Sequence, residues 1–138
     1  MITLKSPHEI EAMRRAGRLT SAARALAGAM IRPGITTQEI DRAVHDFICA
    51  QGAVPSFLNC CSTFPCGKIS EEAQRLIDVT RQSFFEGIAQ ATEGHRLGDV
   101  SAAIQQYVED NGFSIVREYV GHGIGTKMHE SPEIPNYG

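Results

Sequence analysis

Nowhere in the 138 residues is there a run of about eighteen apolar side chains, so the sequence predicts no membrane-spanning helix. Positive charge is not in excess either. Thirteen Lys and Arg stand against sixteen Asp and Glu, a net charge of −3 that argues against a nucleic-acid binder working through a basic face. The opening stretch Met1-Ile2-Thr3-Leu4-Lys5-Ser6-Pro7-His8-Glu9 lacks the apolar core of a secretory signal, so the cytoplasm is the expected compartment. In that setting the four cysteines are expected as free thiols rather than disulfides. Cys60, Cys61 and Cys66 lack the CxxC spacing of common zinc sites. Cys49 falls on a helical apolar stripe, where a small core residue is expected.

What is present is ordinary for a globular protein: 42% hydrophobic and 21% charged residues. The length suits one domain, 1–138, able to bury about two thirds of its unfolded surface. Ser6-Pro7-His8-Glu9 carries an N-cap, a proline at the first helical position and a glutamate three residues after the cap. Ile10, Met13, Ala16, Gly17, Leu19 and Thr20 follow at helical spacing, and the helix runs on to Met30. Its small residues (Ala16, Gly17, Ala22, Ala23, Ala25, Ala27, Gly28) predict close packing against a neighbour. Arg32-Pro33-Gly34 stops it. Thr36 or Thr37 caps a second helix with Ile40, Val44, Phe47 and Ile48 on one face. Gly52 ends that helix, and Ala53–Leu58 reads as an edge strand with a proline near its start.

The pattern then begins again. Ser70 caps a helix whose Glu71 and Glu72 suit its N-terminal dipole, with Leu76, Val79, Phe84, Ile88 and Ala91 as the apolar stripe. A fourth helix is expected from about Asp99 to Asn111, with Val100, Ile104, Tyr107 and Val108 inward. Gly112 ends it before a strand at Phe113–Val120. Gly34 maps to Gly94, Ile40 to Val100, Ala43 to Ala103, Val44 to Ile104, Phe47 to Tyr107, Ile48 to Val108 and Gly52 to Gly112, each pair sixty residues apart. Two copies at so long a period predict pseudo-symmetric halves rather than a solenoid. The expected fold class is α+β, with helix-helix-strand half-repeats at about 6–59 and 64–120.

The loop 121–138 follows the second half and holds the chemistry. Gly121-His122-Gly123-Ile124-Gly125 alternates glycines with a histidine and an isoleucine, and His129 comes seven residues after His122. Glycines this dense allow positive φ or close backbone approach, and a neutral imidazole is the commonest protein metal ligand. Asp78, Glu86, Asp99 and Glu109 lie on helices, mostly on polar faces. Glu118 sits on the polar side of the expected strand, and Glu130 has two roles open to it: orienting a histidine or capping the turn.

These features together resemble the type I methionine aminopeptidases of the pita-bread fold. The resemblance rests on Lys5–Gly17, on Pro33-Gly34-Ile35-Thr36-Thr37-Gln38-Glu39-Ile40-Asp41, and on Gly112–Tyr137 with its His122 and His129-Glu130-x-Pro132. It implies removal of N-terminal methionine from nascent peptides by a pair of divalent metals (Co, Mn, Fe or Zn) that activate a water. Carried over by position, His122 matches the family's histidine metal ligand, and His129 the catalytic histidine that meets the developing oxyanion. Phe57 and Met128 match substrate-pocket positions.

The family's two aspartates would fall between Asn59 and Phe64, where only Cys60-Cys61-Ser62-Thr63 stands, and Cys60 replaces an expected tyrosine. Its two glutamates would lie beyond Gly138. One of five expected ligands is present, so the fold is expected as an incomplete pita-bread with an internal deletion and a C-terminal truncation. Three readings follow: a chain inactive alone, a non-catalytic peptide-binding module, or an aminopeptidase completed by a second chain. Loss of central strands should leave helix faces uncovered and favour a homo-oligomer or complementing partner.

Overall fold

The computed structural model describes residues 2–54 and 61–138. They form two compact units, Thr3–Ile69 and Ser70–Gly138, the latter including Ile2. None of the described helices is long and apolar enough to cross a membrane.

The first unit is a helix pair, α1 (Pro7–Met30) and α2 (Thr37–Ala50). Both helices begin with reciprocal capping bonds, which the sequence announces for α1 and leaves open for α2. Glu9 Oε2 accepts from Ser6 N at 2.7 Å while Ser6 Oγ accepts from Glu9 N at 3.3 Å. Glu39 Oε2 accepts from Thr36 N at 2.8 Å while Thr36 Oγ1 accepts from Glu39 N at 3.2 Å, so Thr36 is the cap. Ala23 and Ile48 are the buried apolar residues of this unit.

The expected close-packed stripe of α1 is narrower than its composition suggests. Ala16, Gly17, Ala22 and Ala25 are exposed. Gly28 is the close contact, since a Cβ there would come within 2.4 Å of the Phe64 ring. A small side chain permits approach but does not cause it. Cys49 also departs from expectation: it is exposed. It lies one turn beyond His45 on the polar flank of α2, while Val44, Phe47 and Ile48 take the inner face.

The second unit repeats the helix pair as α3 (Glu71–Ala89) and α4 (Leu97–Asp110), followed by the strands β1 (Gly121–Gly123) and β2 (Glu130–Ile134). Ser70 Oγ accepts from Ala73 N to cap α3. α4 starts two residues before the sequence expectation because Asp99 reaches back to accept from Arg96 N at 2.7 Å. Arginine has no acceptor atom, so only this half of a capping box forms.

The sixty-residue repeat is carried by backbone as well as by side chains. Gly34 and Gly94 stop their helices at φ +90° and +94°, a region that excludes most other residues. The carbonyls of Ile48 and Val108, both buried, accept from Ala53 N and Phe113 N respectively. Ala23 and Ser83, again sixty apart, are both buried.

Two sequence expectations fail in this unit. The buried stripe of α3 is Val79, Ser83 and Gly87, not Leu76, Phe84 and Ile88, which are 46%, 57% and 50% exposed. Position 87 explains the choice: a Cβ on Gly87 would lie 2.6 Å from Ile104, so this glycine lets α4 seat against α3. The other apolar face of α3 is left uncovered. The stretch Phe113–Val120 forms no strand, and the only sheet among the described residues is the β1–β2 pair. Its residues favour β structure, but a strand exists only through a partner ladder. Side chains anchor the stretch instead, with Arg75 over the Phe113 ring and Arg117 over the Tyr137 ring. Of the expected strand Ala53–Leu58, Ala53 and Val54 are not in a strand, and Pro55–Leu58 lie outside the described residues.

Candidate active site

β1 and β2 form an antiparallel pair with Gly121 opposite Ile134, His122 opposite Glu133 and Gly123 opposite Glu130, with an irregularity between His122 and Gly123. The glycines serve close approach here, since neither has positive φ. A Cβ on Gly121 would stand 2.9 Å from the Ile134 carbonyl oxygen, and one on Gly123 would stand 2.8 Å from that of Ser131. Only a backbone without side chains fits this hairpin at both places.

The hairpin turns the chain back so that His129 meets His122. Their ring centroids are 4.2 Å apart and the planes tilt by 44°. His122 is half-buried and His129 is exposed. His122 Nδ1 lies 2.9 Å from the Gly123 carbonyl oxygen. A carbonyl can only accept, so Nδ1–H donates and the neutral ring carries its lone pair on Nε2. Glu130 closes the turn: its Oε1 accepts from Lys127 N at 3.0 Å and from Thr126 Oγ1 at 3.3 Å. Of the two roles open to this residue, capping is the one these bonds express.

Met128 and Ile124, on the same loop, are 40% and 47% exposed. Phe57, the other expected substrate contact, lies outside the described residues, as does Cys60. The helix carboxylates are engaged on their own elements. Asp78, Glu86 and Glu109 accept from Gln74, Gln82 and Gln105, each one turn earlier, and Asp99 caps α4. Cys61 and Cys66 are free and exposed. Among the described residues no group of three or more His, Cys, Asp or Glu is placed to hold a metal ion. Among His, Cys, Asp and Glu, the sequence of residues 55–60 adds Cys60.

The support behind the loop was not anticipated from sequence. Ser101, almost fully buried on α4, donates its hydroxyl to the Pro135 carbonyl at 2.6 Å. Gly138 N donates to Gln105 Oε1 at 3.1 Å. These bonds tie the segment after β2 to α4. A serine on an otherwise apolar helix face was the signal, because a buried hydroxyl requires a partner.

The sequence model of Metallopeptidase family M24 matches residues 11–62 and 56–138, two pieces that meet at 56–62. The methionine aminopeptidase of Clostridium perfringens is 41% identical over 184 aligned residues, covering 100% of this chain and 74% of that protein. Methionine aminopeptidase 1 of Bacillus subtilis is 36% identical over 184 residues with the same coverage. Because this chain has 138 residues, such an alignment leaves 46 positions of the relative without a counterpart. The crystal structure of methionine aminopeptidase from Rickettsia prowazekii superposes with a TM-score of 0.91 at 27% identity, covering 100% of this chain and 74% of that one. The corresponding structure from Thermotoga maritima gives 0.91 at 30% identity.

The four helices and small sheet are therefore an incomplete pita-bread fold of α+β class with duplicated helix pairs. A metallopeptidase works with divalent metal, and the described donor set does not fit a dinuclear centre, whose ions each need several fixed ligands. Matched across its whole length in sequence and in backbone, the chain belongs to metallopeptidase family M24, as a methionine aminopeptidase-like member.

Proposed function

We propose that this chain retains the histidine loop of a methionine aminopeptidase without a working metal centre, and does not hydrolyse peptides by itself. The observation that supports this is the donor set: His122 and His129 stand together, and no third metal-binding side chain among the described residues joins them. The 46 unmatched positions of the relative, together with a family match that comes in two pieces, agree with a site that has lost part of its ligands. In this reading His122 is the remaining metal-ligand position, with Nε2 as its donor atom. His129 is the position that would donate a hydrogen bond to a substrate oxygen, and Phe57 and Met128 would contact the methionine side chain. When present, a divalent pair of Co, Mn, Fe or Zn type would supply the activated water. The cytoplasm, where nascent peptide N-termini emerge, is the compartment this role requires. The two units act in it as halves of one aminopeptidase-like domain, 1–138.

The test is direct. Purified chain, supplied with cobalt(II) or manganese(II) and a Met-Ala-x peptide, is expected to release no methionine above the buffer rate. Turnover that disappears in His122→Ala would overturn the proposal and favour completion by a second chain.

A second reading is favoured by the exposed Met128 and Ile124 beside the histidine pair. It is a non-catalytic module that binds peptide N-termini. Binding of the same peptide that is unchanged by a chelator, and weakened by Met128→Asp, would support it.

A further inference from the structure

We propose that His45 and Cys49 on α2 form a two-point chelate for a thiophilic divalent transition-metal ion such as zinc, cadmium or cobalt. The two residues are four apart on one helix and so share a face. Cys49 Sγ lies 3.8 Å from each ring nitrogen of His45. A tetrahedral ion bonded at about 2.3 Å to sulfur and about 2.05 Å to nitrogen separates those donors by about 3.6 Å. Equal distances place the sulfur off both in-plane lone pairs, so the imidazole must turn about its Cβ–Cγ bond, which an exposed ring is free to do, to bring one nitrogen and the sulfur onto a common ion.

Asp46 supplies the outer contact. Its Oδ1 stands 3.5 Å from His45 Nδ1. A carboxylate accepting from Nδ1–H leaves Nε2 as the metal-binding atom, the arrangement that orients histidines in many metal sites. On binding, the Cys49 S–H bond breaks, its proton goes to water, and a metal–sulfur bond forms. No oxidant or reductant is involved. Both donors are exposed, so the ion has free access and keeps water at its remaining positions. No third protein donor is placed there among the described residues, which makes this an open site rather than a closed structural one.

The test uses the full chain with Cys60, Cys61 and Cys66 changed to serine, leaving Cys49 as its one thiol. Titration with cobalt(II) is expected to give a saturable thiolate-to-metal charge-transfer band. Cys49→Ser should abolish the band, His45→Ala should weaken apparent affinity at least about tenfold, and His122→Ala should leave it unchanged. Absence of the band, or an affinity indifferent to His45→Ala, would overturn the proposal. Should the triple-serine chain not fold, alkylation of the native chain followed by mass spectrometry gives the same answer. Cobalt should slow modification of Cys49 severalfold, and His45→Ala should remove that protection; unprotected Cys49 in the native chain would contradict it.

Discussion

One methyl group at position 123 is expected to pull His122 and His129 apart. In Gly123→Ala the new carbon would meet the Ser131 and Glu130 carbonyl oxygens at 2.8 and 2.9 Å. Both are backbone atoms held in the β1–β2 pair and cannot swing aside. Overpacking of this kind costs about 1–3 kcal/mol. The expected outcome is a lower urea midpoint together with loss of the NMR cross-peaks between the two imidazoles. Ser101→Ala works from behind the loop. It removes the donor to the Pro135 carbonyl and is expected to cost about 1 kcal/mol, read from the same urea titration, while leaving β1 and β2 paired. His122 and Met128 were singled out by sequence position alone, but the approach of the two histidine rings was not legible there. It depends on a hairpin whose close contact is set by Gly121 and Gly123, and spacing along the chain does not encode that return.

Helix ends were the most legible elements, because a cap is a local event decided by three or four residues. Ser6-Pro7-His8-Glu9 announced the start of α1, and Thr36-Thr37 announced that of α2 without deciding which of the two is the cap. The start of α4 was misread by two residues because Arg96 is not a capping type and the working group is the Asp99 carboxylate. Strand Phe113–Val120 and the apolar face of α3 were misread for a different reason. Both readings assumed a partner, and propensity or periodicity says nothing about whether the partner strand is in the chain.

The caps also carry a pH dependence. Hydrogen bonds from the Ser6 backbone and hydroxyl hold the Glu9 carboxyl below its ordinary value of 4.5. Those from the Thr36 hydroxyl and backbone do the same for Glu39. A carboxyl with a folded-state pKa below its unfolded value stabilises above the unfolded value, and the contribution is lost as pH falls through the folded one. Helix content should therefore decline as pH drops below 4.5, and the Glu9→Gln/Glu39→Gln double variant should show a shallower acid limb by circular dichroism. Both groups lie in water, so the difference is small. An unchanged acid limb would remove the caps from the account of acid stability.

At the scale of the whole molecule, the exposed apolar face of α3 is the feature with the widest consequence. The alignment with the Clostridium perfringens relative runs over 46 more positions than this chain has residues, and the family model matches the chain in two pieces, 11–62 and 56–138. Within its own unit α1 packs on α2 and α3 on α4, and Leu76, Phe84, Phe85 and Ile88 are exposed along α3. Large apolar side chains exposed along one helix favour association. Sedimentation velocity is expected to show oligomers at micromolar concentration, shifted toward monomer by Phe84→Lys with Ile88→Lys. A native chain that sediments as a single monomer and melts cooperatively would contradict this expectation.

Activity is where the proposed function stands or falls: the chain belongs to family M24, and by that proposal it holds no working metal centre by itself. Release of methionine from a Met-Ala-x peptide by the purified chain, with cobalt(II) or manganese(II) in excess, tests it most directly. The account predicts a rate indistinguishable from buffer and the same rate in His122→Ala. Metal-dependent turnover by the native chain, lost in His122→Ala, would contradict it.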